Sequence, residues 1–95
     1  MDLFESDAPV KICAPMVRYS KLAFRNLVRL YGCDLAFSPM IMAESFFMSQ
    51  KARDNELTTN TQDKPMIVQL AANKAHYFAG SAELVAGHCS GVDLN

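Results

Sequence analysis

The sequence predicts a parallel α/β fold, and three features predict it. Short apolar runs alternate with helical patterns in the order βαβαβαβ, which implies a parallel sheet with right-handed crossovers. The run Met66-Ile67-Val68-Gln69-Leu70 is apolar except at Gln69, as expected of a strand buried on both faces of a sheet. Two strand ends close on the same dipeptide, Pro15-Met16 and Pro39-Met40, where strand-to-helix turns usually carry Gly, Asp or Ser.

Each element follows from local pattern. Residues 1–9 are a polar lead-in ending at Pro9, and residues 10–14 form the first strand. Ser20 is the expected N-cap of the first helix. In that helix Phe24, Leu27, Val28 and Tyr31 recur at helical spacing as an apolar face, and Gly32 is the left-handed stop. Lys21, Arg25 and Arg29 step along another face as a basic stripe. With Arg18 it reads first as a solvated helix face and second as a phosphate contact. Residues 35–38 form the second strand, and a helix is expected over residues 41–51. Residues 52–65 are polar and turn-rich and read as a long connection with a short hairpin; Lys51 and Arg53 form a small basic patch there. After the third strand, residues 66–70, Asn73 is the expected cap of a helix over residues 74–86. Gly80 weakens that helix slightly, Gly87 stops it, and Gly91-Val92-Asp93-Leu94-Asn95 is a fourth strand.

The 95 residues carry a formal net charge of −1 and are 51% hydrophobic, which suits one small globular domain and gives no global argument for nucleic acid. No stretch is long and apolar enough to span a membrane, and the acidic N-terminus lacks a signal pattern. Cys13, Cys33 and Cys89 are odd in number and widely spaced, so they read as buried free thiols in a reducing compartment, with no metal site. A final strand with no helix to cover it predicts part of a larger whole, the first half of a TIM (β/α)8 barrel of about 250 residues.

In such folds ligands bind at the C-terminal ends of the strands. Pro15-Met16, Pro39-Met40, Gln69 and Asn95 all fall there, one set for each of four strands. Met and Pro pack on an apolar ring, and a Gln amide donates and accepts at a polar edge, so a flat amphipathic ligand is expected. Glu44 is a further rim candidate, whereas His76 and His88 read as surface histidines.

The segments Ala14-Pro15-Met16-Val17, Leu22-Ala23-Phe24-Arg25, Ser38-Pro39-Met40-Ile41, Pro65-Met66-Ile67-Val68-Gln69-Leu70 and Gly91-Val92-Asp93-Leu94-Asn95, in that order, resemble the N-terminal part of a tRNA-dihydrouridine synthase. Arg18-Tyr19-Ser20-Lys21-Leu22 and Lys51-Ala52-Arg53-Asp54 most resemble the eukaryotic dihydrouridine synthase 4-like branch. The resemblance runs from about Ile12 to Asn95 and implies an FMN-dependent TIM-barrel reductase. Members reduce uridine in the tRNA D-loop, here of the 20a/20b type, with NADPH or NADH as reductant and a cysteine as general acid. Carried over residue by residue, it implies that Pro15, Met16 and Val17 lie along the flavin, that Gln69 hydrogen-bonds its ring and that Asn95 sits near the tRNA substrate. The family's catalytic cysteine follows that asparagine and so falls beyond Asn95; Cys13, Cys33 and Cys89 do not match it. The chain is therefore expected to be a truncated form, inactive alone, with an intracellular, cytoplasmic or nuclear, location. The alternatives left open are a non-catalytic isoform acting by association and another FMN-dependent barrel reductase, with the oligomeric state open in each.

Overall fold

The computed structural model describes residues 3–5 and 7–95. After a single 3-10 turn at Leu3–Glu5 come β1 (Ile12–Cys13), α1 (Leu22–Leu30), β2 (Leu35–Phe37), β3 (Ile41–Met42), α2 (Ala43–Met48), α3 (Gln50–Glu56), β4 (Met66–Ala71), α4 (Ala75–Val85) and β5 (Gly91–Leu94). Every strand pairing is parallel: β1 with β2, β2 and β3 with β4, and β4 with β5. Counting β2 and β3, which both pair with the same side of β4, as one strand, spatial order follows chain order, the arrangement of the opening strands of a (β/α)8 barrel.

β2 and β3 are two ends of one interrupted strand. Phe37 lies opposite Ile67 and Ile41 opposite Leu70, so four residue steps on one side meet three on the other. The extra residue makes Ser38-Pro39-Met40 a bulge. Ser38 bridges it: its N–H donates to the Ile67 carbonyl at 2.8 Å, and its Oγ accepts from the Gln69 N–H at 3.0 Å. The sequence places residue 41 at a helix start; instead the chain stays extended through Met42, because Ile41 is wholly buried beside β4.

The core is Ile41, Ala43, Phe46, Met66, Val68, Leu70 and Val85, between the sheet and helices α2 and α4. β4 was expected to be buried on both faces. It alternates: Met66, Val68 and Leu70 are buried, while Ile67, Gln69 and Ala71 on the other face are half-exposed.

The expected helix over residues 41–51 breaks in two at Ser49, whose Oγ accepts from the Ala52 N–H and caps α3. Arg53 donates to the Phe46 and Phe47 carbonyls at 3.0 Å each, satisfying the end of α2. It is a helix cap, not half of a basic patch; Lys51 is exposed. α3 also replaces the first residues of the supposed connection over 52–65, and no hairpin forms there.

Helix α1 departs furthest from its sequence pattern. Its buried residue is Arg25, 1% exposed, while Leu27 and Tyr31 of the presumed core face are exposed. Neither a solvated stripe nor a phosphate site describes Arg25 and Arg29. Arg25 donates through Nε and Nη2 to Asp63 Oδ2 at 3.0 and 2.8 Å, and Arg29 through Nε and Nη2 to Asp63 Oδ1 at 3.2 and 2.9 Å. The remaining guanidinium N–H groups reach the Ser20, Thr58, Lys64 and Pro65 carbonyls, so the two arginines stitch the 57–65 loop to α1. Lys21 alone of the stripe is exposed.

The cap residues differ too. Lys21 and Lys74, not Ser20 and Asn73, occupy the N-cap positions of α1 and α4, and neither makes a side-chain cap bond. Gly32, at φ 92°, is the left-handed stop expected of it; Gly87 has no such backbone. Gly80 lets α4 approach α2, since a Cβ there would collide with the Phe47 ring, itself edge-on to Tyr77. Gly80→Ala is therefore expected to turn the exposed Phe47 ring away from Tyr77, which offsets the usual helix gain of about 1 kcal/mol and leaves the urea midpoint little changed.

Candidate functional site

The turn after β1 is held from below. Ser20 is fully buried; its Oγ accepts from the Met16 N–H at 2.9 Å and donates to the Met16 carbonyl at 3.1 Å. The Tyr19 and Ser20 N–H groups donate to the same carbonyl, each at 3.0 Å. Closing this turn puts Arg18 in the left-handed region, at φ 74°. That conformation costs a residue with a Cβ about 1–2 kcal/mol, and such strain collects at ligand clamps. With the backbone pinned, Met16 and Val17 keep their side chains exposed and Pro15 is half-buried. Ser20, expected as a helix cap, is the bolt of this turn. Ser20→Ala is expected to cost about 1–3 kcal/mol by leaving the Met16 N–H without its acceptor, and to raise the exchange rate of that amide.

Register sets the level of the other residues. Cys13 lies opposite Ala36, and Phe37 opposite Ile67. The Pro15-Met16 turn and Gln69 therefore lie just beyond one level of the sheet, separated by β2. Gln69 is on the half-exposed face of β4, directly opposite Asp93, and its Nε2 donates to Asp93 Oδ2 at 2.7 Å. Asn95 lies across β4 from the second Pro-Met pair. Its N–H donates to the Leu70 carbonyl at 2.9 Å, and its Nδ2 reaches Met40 Sδ at 3.3 Å. Beside it opens a cleft of about 290 Å³ lined by Met42, Glu44, Ala71, Ala72, Asn73, Tyr77 and Asn95. Glu44 thus reaches the rim, as its position after Met40 suggested.

The structure brings Ser38, Met40, Gln69 and Asn95 together and leaves Pro15, Met16 and Val17 at the same end of the sheet on the far side of β2. It withdraws Arg25 and Arg29 into the interior. His76 and His88 are exposed, as expected. Asp93 and Ser38 were missed. Asp93 had a signal: it alternates with Asn95 along β5, so the two residues share a face. Ser38 had none, because its role exists only once the bulge forms.

The three thiols are free and half-buried rather than fully buried. Cys13 faces Phe24 and Val28 of α1, and burial, aided by the neighbouring Cys33, pushes its thiol up. Cys33 and Cys89 precede β2 and β5, at the end of the sheet opposite the rim, and burial raises Cys89 as well. No rim position is occupied by a cysteine.

A parallel sheet of this strand order, with helices between its strands, is an α/β scaffold of barrel type. The sequence comparisons give it a lineage. Residues 12–95 match the family model "Dihydrouridine synthase (Dus)", and the chain belongs to that family. It is 55% identical over all of its 95 residues to the tRNA-dihydrouridine(20a/20b) synthase-like protein of Homo sapiens, and 56% identical to that of Mus musculus. Over 87 residues it is 45% identical to the tRNA-dihydrouridine(20a/20b) synthase of Saccharomyces cerevisiae. The chain spans 30% of the human relative's length and 24% of the yeast protein's. Among the described residues no helix is long and apolar enough to cross a membrane.

Proposed function

We propose that these residues form one wall of the cofactor site of an FMN-dependent tRNA-dihydrouridine synthase that reduces uridine in the tRNA D-loop, at 20a/20b-type positions, with NADPH or NADH as reductant. The observation that carries the reading is the pairing of a clamped apolar turn, Pro15-Met16-Val17, with the Gln69 amide at one end of a parallel sheet. This donor set fits an isoalloxazine. The apolar side chains suit its face, and a carboxamide suits its imide edge, which offers both an N–H and carbonyl oxygens. Bound flavin supplies the hydride chemistry. The chain's own residues bind and orient: Ser20 holds the floor rigid, Gln69 fixes the polar edge of the ring, and Asn95 meets the tRNA uridine beside Met40. Cys13, Cys33 and Cys89 lie away from the rim among the described residues and are not assigned the role of general acid. Gln69→Ala is expected to weaken FMN binding roughly tenfold, the worth of one buried hydrogen bond to the ring. Equal flavin occupancy in the variant and the parent, by absorbance of the purified protein, would count against the assignment.

A further inference from the structure

We infer that Asp93 is a positioning residue that decides which end of the Gln69 amide meets a ligand, and so makes the site select a ligand edge bearing an N–H donor. The inference rests on the flavin reading above and goes beyond it. A carboxamide can turn either its carbonyl oxygen or its NH2 group toward a partner, and the two ends recognise opposite chemistry. Here the choice is made by chemistry. Asp93 sits opposite Gln69 in the parallel register, and its Oδ2 lies 2.7 Å from the Gln69 side-chain nitrogen. An ionised carboxylate only accepts, so the group facing it is the NH2, and reversal would set two oxygens against each other. The Gln69 main-chain N–H is held by Ser38 Oγ, which fixes the strand from which the side chain projects. With one of the two amide N–H groups held by Asp93, the orientation is set, and Oε1, the end turned away from Asp93, faces a ligand as an acceptor. The matching group on an isoalloxazine is the imide N3–H, flanked by two carbonyls that Oε1 would repel if it sat opposite either of them.

Two measurements on the chain itself separate the parts of this inference. In proton–nitrogen spectra, one Gln69 carboxamide proton is expected downfield in the parent chain; in Asp93→Val that signature is lost. A Gln69 side-chain signal unmoved by Asp93→Val overturns the orientation. In parallel titrations with FMN and with N3-methyl-FMN, in which a methyl group replaces the imide proton, the parent chain is expected to prefer FMN roughly tenfold. Asp93→Val frees the amide to flip and offer its NH2 to a carbonyl, so the two flavins should then bind within about twofold of each other. The ratio cancels a general loss of folding, since both ligands meet the same protein, and Asp93→Asn, which can still accept, should fall between the two. A parent chain that binds both flavins equally, or an Asp93→Val variant that keeps the tenfold preference, overturns the selection. Failure of the parent chain to bind either flavin removes the flavin reading itself and the ligand half of this inference with it, while the spectral test of the amide stands apart.

Discussion

Asp63→Ala is expected to cost about 3–5 kcal/mol, the loss seen when one partner of a buried ion pair is removed. One carboxylate, 1% exposed, accepts from Arg25 and Arg29 and from the Thr59 hydroxyl at 3.0 Å. Without it the Arg25 guanidinium, equally buried, keeps its charge and loses its counter-ion. The damage spreads because the same arginines hold the carbonyls of the 57–65 loop, which leads directly into the central strand β4. A chain of this length loses about 4–8 °C of melting temperature per kcal/mol, so a fall of about 15 °C or more is expected by calorimetry. A fall of only a few degrees would mean that the cluster is solvated in solution.

The same carboxyl gives the protein an acid limit. Burial alone would raise the Asp63 pKa, but hydrogen bonds from Arg25 and Arg29, with the Arg25 charge, outweigh it and hold the group below its ordinary value. A folded pKa below the unfolded one means that the ionised carboxylate stabilises the fold in full above the unfolded value, about 4. That contribution falls away as the pH drops below about 4 and through the lower folded value. Stability of the parent should therefore decline over this range. Asp63→Asn, already uncharged, should start less stable at neutral pH and show a shallower decline.

Phe46→Ala is the second large effect, about 3–5 kcal/mol. Phe46 is 2% exposed and packs within the core shared by α2, β4 and α4. Helix α2 has six residues, far fewer than an isolated helix needs, so its structure depends on that packing. The variant should lose hydrogen-exchange protection in residues 43–48 before it loses it in β4. Uniform loss across both would make α2 part of one cooperative unit with the sheet.

The sequence carried the parallel order of the strands and the gathering of unusual residues at one end, since both rest on local pattern. β4 is apolar almost throughout, and the Pro-Met pairs are visible as text. What escaped it rests on contacts between distant residues. Arg25 and Asp63 are 38 positions apart, so helical spacing alone presents Arg25 as one more surface cation. Arg25 takes the buried position of α1, and of the apolar stripe Phe24 and Val28 are half-buried while Leu27 and Tyr31 are exposed. The sequence after Ile41, Met-Ala-Glu-Ser-Phe-Phe, favours a helix, and only pairing with Leu70 and Ala71 keeps Ile41 and Met42 extended. Of the candidate site, Gln69 and the first turn were readable as residues, whereas the Ser20 clamp and the Asp93 partner required three-dimensional neighbours.

The extra residue between β2 and β3 has a consequence for insertions and deletions. Side chains alternate along a strand, so Ala36 and Ile41, an odd number of positions apart, can both face the helices only because one position between them is out of step. Deleting a single residue from Ser38-Pro39-Met40 would leave Ala36 and Ile41 an even number of positions apart, so plain alternation would keep Ile41 opposite Leu70 and facing the helices, and only the bulge would be lost. For this segment, the spare residue shapes the strand beside Gln69 and not the phase of α2.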